Sequence, residues 1–164
     1  MRRHPHTIVA KFRRNERGAA LVEMAIITPL VLSLAAGVFE FSNILHTKLL
    51  IETGIEDGAR YIARCSGPDE TTCNTRGANL AANGSVTGGT ARVPNWLPAD
   101  VAVVYLPVAA LNEEGVRLYR SDGLNVRVVQ VSTTYNYTGT GLWDILGLGA
   151  MQLAVAHQER VMGW

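Results

Sequence analysis

Glu23 is the residue whose type and place most clearly ask for chemistry. It stands at the start of an apolar run in which Met24 to Phe39 carries no charge. A carboxylate at the mouth of a membrane span is costly, so it needs either water or a positive partner. No basic residue lies between Glu23 and Lys48 except the titratable His46. Two arrangements would satisfy the acid. In one, Glu23 sits at headgroup level and keeps its carboxylate wet. In the other, a cut after Gly18 creates a new α-amino group at Ala19, four residues from Glu23. In an assembly of parallel helices, the amine of one chain would then neutralise the carboxylate of its neighbour.

The remaining reactive side chains point to less. Cys65 and Cys73 are separated by seven residues, which suits a small disulfide loop; two free thiols are the alternative, and two cysteines alone make a poor metal site. His4 and His6 form an H-x-H pair with no further ligand close in sequence, while His46 and His157 are far apart. Asp69-Glu70 and Glu113-Glu114 read as solvated acidic pairs in loops. No P-loop, G-x-S-x-G, H-E-x-x-H or strand-linked G-x-G-x-x-G pattern occurs, so the expectation is a protein with no catalysis of its own and no cofactor.

The elements that must position Glu23 follow from charge and hydropathy. Ala19 to Phe41 is a 23-residue apolar segment broken only by Glu23 and Glu40. At about 1.5 Å per residue it reaches roughly 35 Å, enough to cross a hydrocarbon core of about 30 Å with some tilt. Residues 1–18 carry six basic side chains against Glu16, a net +5, so the other residues carry −4 and the chain +1. That asymmetry places the N-terminus in the cytoplasm and residues 67–164 outside it. A nucleic-acid-binding arm is the competing reading of the leader, and the span that follows at once argues against it.

Past Phe41 the spacing stays helical. Ile51, Ile55, Ala59 and Ile62 form an apolar stripe, and Glu52, Glu56, Arg60 and Arg64 line another face. Gly37, Gly54 and Gly58 mark either close helix contacts or local flexibility. Ser66-Gly67-Pro68 should end the helix. Pro29 permits a kink inside the span, with Thr28 as a local helper; a kink without a role is equally compatible. Beyond lies a loop region to Pro94 with a short helix at Arg76–Asn83. Val101–Leu106 reads as a buried strand closed by Pro107. Val116–Tyr119 and Leu124 onward read as a hairpin about Asp122-Gly123. The apolar phase switches near Val128–Val129, which suggests a bulge. Leu142–Met151 is a short helix or packed loop, and Gln152–Met162 a last strand.

The expected architecture is therefore α+β: a basic leader at 1–18, a long helix at 19–66 that spans the membrane over 19–41, and an extracytoplasmic domain at 67–164. The long transmembrane and amphipathic helix packs against a mostly antiparallel sheet of about four strands.

Within Arg13–Arg64 the residues resemble the class III signal of type IV pilin-like proteins. More narrowly they resemble the TadE-like family, minor pilins (pseudopilins) of tight-adherence, Flp-type pilus systems. The residues that carry the resemblance are Arg17-Gly18-Ala19-Ala20, Val22-Glu23-Met24-Ala25, Pro29-Leu30 and Gly37-Val38-Phe39-Glu40-Phe41. Met24 departs from the pattern, since an aromatic often follows the glutamate. The resemblance implies a type IV pilin-like fold and cleavage between Gly18 and Ala19 by a prepilin peptidase. It also implies assembly with other pilins or pseudopilins and an inner-membrane platform, with membrane lipid but no nucleic acid as further partners. The location implied is the bacterial inner membrane, single-pass, with the C-terminal domain in the periplasm or carried into the surface pilus. Cleavage would leave 146 of the 164 residues, too bulky for the short repeating fibre subunit. Two other readings compete. Ser33-Leu34-Ala35 resembles a small-x-small signal-peptidase site, which would release a soluble binding domain; an uncleaved membrane-anchored binding module is the other.

Overall fold

A single helix of 49 residues, α1 (Glu16–Arg64), dominates the computed structural model of the chain, which describes residues 16–65, 69–119, 123–139, 141 and 150–162. The helix starts three residues before Ala19 and ends two before Ser66. The rest of the leader and Ser66–Pro68 lie outside the described residues. The chain divides into two units, Met1–Ser42 and Asn43–Trp164.

In the first unit, α1 is apolar all round and almost wholly exposed. Leu21, Ile26, Val38 and Phe39 each keep 70% or more of their surface. A helix with no polar face and no protein cover is what a lipid environment requires.

In the second unit, α1 becomes one-sided. Ile51, Ile55, Ala59 and Ile62 are buried at the three- to four-residue spacing read from the sequence, and Ile44, two turns earlier, is buried with them. They pack in one core with a three-stranded antiparallel sheet. The strands are β1 (Val101–Ala109), β2 (Asn125–Tyr137) and β3 (Met151–Arg160), in the spatial order β1-β2-β3. Val129, Val131 and Thr133 of β2 alternate into the core, joined by Val101 and Leu153 from its neighbours.

A second helix, α2 (Glu70–Asn83), crosses α1 and contributes Ala78, Ala81 and Ala82 to the same core. It starts six residues before the expected Arg76 because Asp69 caps it, its Oδ1 accepting from the Thr72 N–H at 2.5 Å. Gly84, at φ 69°, closes its C-terminus, its N–H bonding the Leu80 carbonyl at 2.9 Å.

Four expectations are corrected. The described residues hold three strands, because Val116–Tyr119 contributes only an isolated bridge between Leu111 and Arg117. The hairpin is instead β1–β2, joined across 110–124; Arg120–Asp122 lie outside the described residues. β1 does not stop at Pro107, because an edge strand can hold a proline whose missing N–H faces away from its partner. That position also leaves Val104 and Val108 exposed rather than buried. Finally, the register of β2 runs without a bulge from Val126 to Thr133 against β1 and from Val128 to Tyr137 against β3. The phase switch is real but needs no extra residue. Val126 is buried on the opposite sheet face, outside the main core, while Val129 and Val131 face it. Leu142–Gly149 lie outside the described residues, and β3 begins at Met151 close to where the last strand was expected.

Candidate assembly helix

Gly18, Ala19, Glu23 and Pro29 all lie on the exposed half of α1. A Cβ built on Gly18 would meet nothing within 4 Å, and the same holds at Gly37. Among the described residues, nothing packed against either position calls for glycine. Glu23 is exposed, among Leu21, Val22, Met24 and Ile26, all more than 60% exposed. Over Gly18–Arg64 the best window has a mean hydropathy of 2.1 and none of it is buried; by length and composition this helix can cross a membrane.

Pro29 sits inside the helix without ending it. Its ring removes one backbone donor from the ladder. One turn on, the Ser33 hydroxyl donates to the Pro29 carbonyl at 2.8 Å. Glu40, at 1% exposure, is the buried exception in the apolar segment. Its burial was missed because its carboxylate breaks the apolar period. Counting four residues back from Ile44 would have found it.

At the far end of α1 the two cysteines are joined, Cys65 to Cys73, with Cα atoms 5.9 Å apart. The bond ties the end of α1 to the second turn of α2, and the Cys73 side chain is buried. The helix pair is closed by missing side chains. A Cβ on Gly58 would stand 2.8 Å from the Gly77 carbonyl oxygen and 3.1 Å from the Ala81 Cβ. One on Gly54 would run into the Ala81 carbonyl and the ring of Trp96. So Gly54 and Gly58 serve close packing, while Gly37 has no such contact.

Polar links fix α2 and the loop after it. Arg92 pairs with Asp57 of α1 at 2.7 Å and also donates to the Leu80 carbonyl at 3.3 Å. Tyr105 of β1 donates to Asn74 of α2 at 2.8 Å. Arg127 lies over the Tyr105 ring at 4.5 Å and pairs with Glu70 at 2.6 Å. Burial, aided by Glu70 and opposed by Arg127, raises the Tyr105 hydroxyl above its usual pKa; burial alone raises Tyr135. The Thr72 backbone and hydroxyl bonds hold the Asp69 carboxyl below its usual range. Among the described residues no group of three or more metal-binding side chains converges.

The elements thus separate a bare apolar helix carrying Glu23 from a pinned second unit. That division falls inside a known sequence pattern. Residues 18–60 match the family model of the TadE-like protein. The match bears out the resemblance drawn from Gly18-Ala19, Glu23, Pro29 and Glu40. No curated protein and no solved structure matches the chain. The TadE-like segment covers both the exposed and the packed parts of α1, and it stops before the disulfide, α2 and the sheet.

Proposed function

We propose that the chain is a minor pilin or pseudopilin that supports assembly of a tight-adherence pilus and performs no catalysis of its own. The observation that carries this reading is the TadE-like segment with its first half bare, apolar and headed by Glu23. A prepilin peptidase removes residues 1–18, and Ala19 becomes the N-terminus. Since no contact among the described residues calls for glycine at position 18, its role is to fit the peptidase. The new amine of one subunit then faces Glu23 of a neighbour, and the apolar helices pack together in the inner membrane. The Cys65–Cys73 bond supports an extracytoplasmic place for the second unit, because such bonds persist in oxidising compartments. The partners are other pilins or pseudopilins and an inner-membrane assembly platform.

The test is the N-terminus of the protein taken from its native membrane, read by sequencing or intact mass. Ala19 is the expected first residue. A start near Ala36 would mean release by signal peptidase, and a retained Met1 would mean an uncleaved anchor; either result overturns the proposal.

A further inference from the structure

We propose that the end of the second unit where α1 enters it is a lipid-contacting foot, with Leu45 and Met151 seated at the headgroup–acyl boundary of the outer leaflet. This inference rests on reading 19–41 as a membrane span.

Two contacts fix how far the sheet reaches down α1. Arg60 pairs with Glu159 at 3.6 Å, and the Met162 N–H donates to the Ala63 carbonyl at 2.9 Å. β3 therefore ends level with the last turns of the helix. Met151 lies eight residues before Glu159 on an unbroken strand, a distance of about 26 Å. That is the rise of about 17 helical residues, and somewhat fewer where strand and helix cross at an angle. Met151 thus stands level with the first turns of α1 in this unit, residues 43–47.

Two large apolar side chains are exposed at that level, Leu45 at 45% and Met151 at 43%. Leu49, one turn further on, is 60% exposed. Single exposed leucines need no explanation, but these share the level of the first turns of α1 that follow the apolar segment. That continuity with the span identifies the occupant as lipid. Lys48 lies between the two leucines with its side chain half-exposed, paired with Glu52 at 3.3 Å, and its ammonium can reach lipid phosphate. Other exposed apolar residues, Val116, Leu118 and Leu124, belong to the connection at the opposite end of the sheet and should face water or protein.

Site-directed spin labelling tests the foot. The native cysteines are bonded to each other, so an introduced cysteine is the one free thiol among the described residues. Met151→Cys, Leu45→Cys, Leu118→Cys and Val31→Cys are labelled in the full chain and reconstituted in vesicles of phosphatidylethanolamine with a minority of phosphatidylglycerol. Collision rates with oxygen and with a water-soluble nickel chelate are then compared. The expected oxygen-to-chelate ratio is highest at 31, intermediate at 151 and 45, and several-fold lower at 118. A ratio at 151 equal to that at 118 overturns the foot while Val31 still reports lipid. Shielding of 151 from both probes means a protein cover and overturns it as well. If Val31 itself reports water, the membrane reading fails and takes the foot with it.

Discussion

Gly58 of α1 and Gly77 of α2 meet backbone to backbone, and neither position has room for a side chain. A Cβ at Gly58 would stand 2.8 Å from the Gly77 carbonyl oxygen, and one at Gly77 would run into the Ile62 side chain. Alanine would add about 1 kcal/mol of helix propensity at either site, against an overpacking cost of about 1–3 kcal/mol. At Gly58 the obstacle is backbone, which cannot swing aside. Gly58→Ala should therefore lower the melting temperature of the second unit by several degrees. Gly37→Ala, where nothing lies within 4 Å, should leave it unchanged or raise it. A Gly58→Ala protein as stable as the parent would show that α2 can move off α1 at no cost.

Trp96 is fully buried, and its Nε1–H donates to Thr133 Oγ1 at 3.1 Å; that hydroxyl donates in turn to the Asp100 carbonyl at 2.8 Å. Trp96→Phe keeps most of the ring volume but removes the donor, and should cost about 1 kcal/mol. Trp96→Ala should cost about 3–5 kcal/mol. Denaturant unfolding followed by circular dichroism reads both. Equal effects would mean that the indole volume contributes nothing.

How much of this was legible beforehand depends on whether the signal was periodic or came from tertiary packing. The exposed and buried parts of α1 were readable because Leu30, Val38, Ile51 and Ile55 follow helical spacing or unbroken hydropathy. The start of α2 was missed because its signal is one residue, Asp69, which was read as a solvated acid and not as a cap. Gly54 and Gly58 could not be interpreted without α2, since a glycine's sequence does not name what approaches it. The phase switch near Val128–Val129 was seen, but its cause was misassigned. Burial on both faces of a strand leaves the same trace as a bulge. For Glu23 and Gly18, spacing and charge marked the positions, and the fold adds that Glu23 is exposed and that a Cβ at Gly18 meets no atom of the described residues within 4 Å.

The disulfide closes a short loop between Cys65 and Cys73, eight apart in sequence. Loop-closure entropy for a ring of that size gives about 2–3 kcal/mol of stabilisation. The double substitution Cys65→Ser with Cys73→Ser should lower stability by that amount without changing membrane insertion. Because Cys73 is buried, a thiol reductant should act on the folded parent only slowly. Rapid reduction under native conditions would show that the N-terminal turns of α2 open readily.

Asp69 ties α2 to pH. Its folded pKa lies below its ordinary value of 3.8, so the cap contributes fully above that value and is lost as pH falls through the folded pKa. Stability should therefore fall more steeply below about pH 4 in the parent than in Asp69→Asn, which keeps a capping oxygen but has no proton to take up. Melting temperature against pH for the two proteins is the measurement. Parallel curves would mean that the cap does not sense the acid range.

Glu23 and Gly18 should fail at different steps. In Gly18→Leu a bulky side chain would face the proposed peptidase, while a Cβ there meets no atom of the described residues within 4 Å. The precursor should insert and remain uncut, at full precursor mass. In Glu23→Ala the cut should proceed, because the scissile bond is unchanged. Insertion should also proceed, because removing a charge from an apolar helix lowers its transfer cost. What should be lost is assembly, since in the proposed assembly the amine of Ala19 would no longer meet a carboxylate on its neighbour. Glu23→Gln separates charge from shape, keeping the length of the side chain without the negative charge. Membrane fractionation, intact mass and a count of surface pili, taken together on the three strains, distinguish these steps. Normal pili from Glu23→Gln would leave charge pairing without a role, and the acid would then be only a headgroup-level residue kept wet.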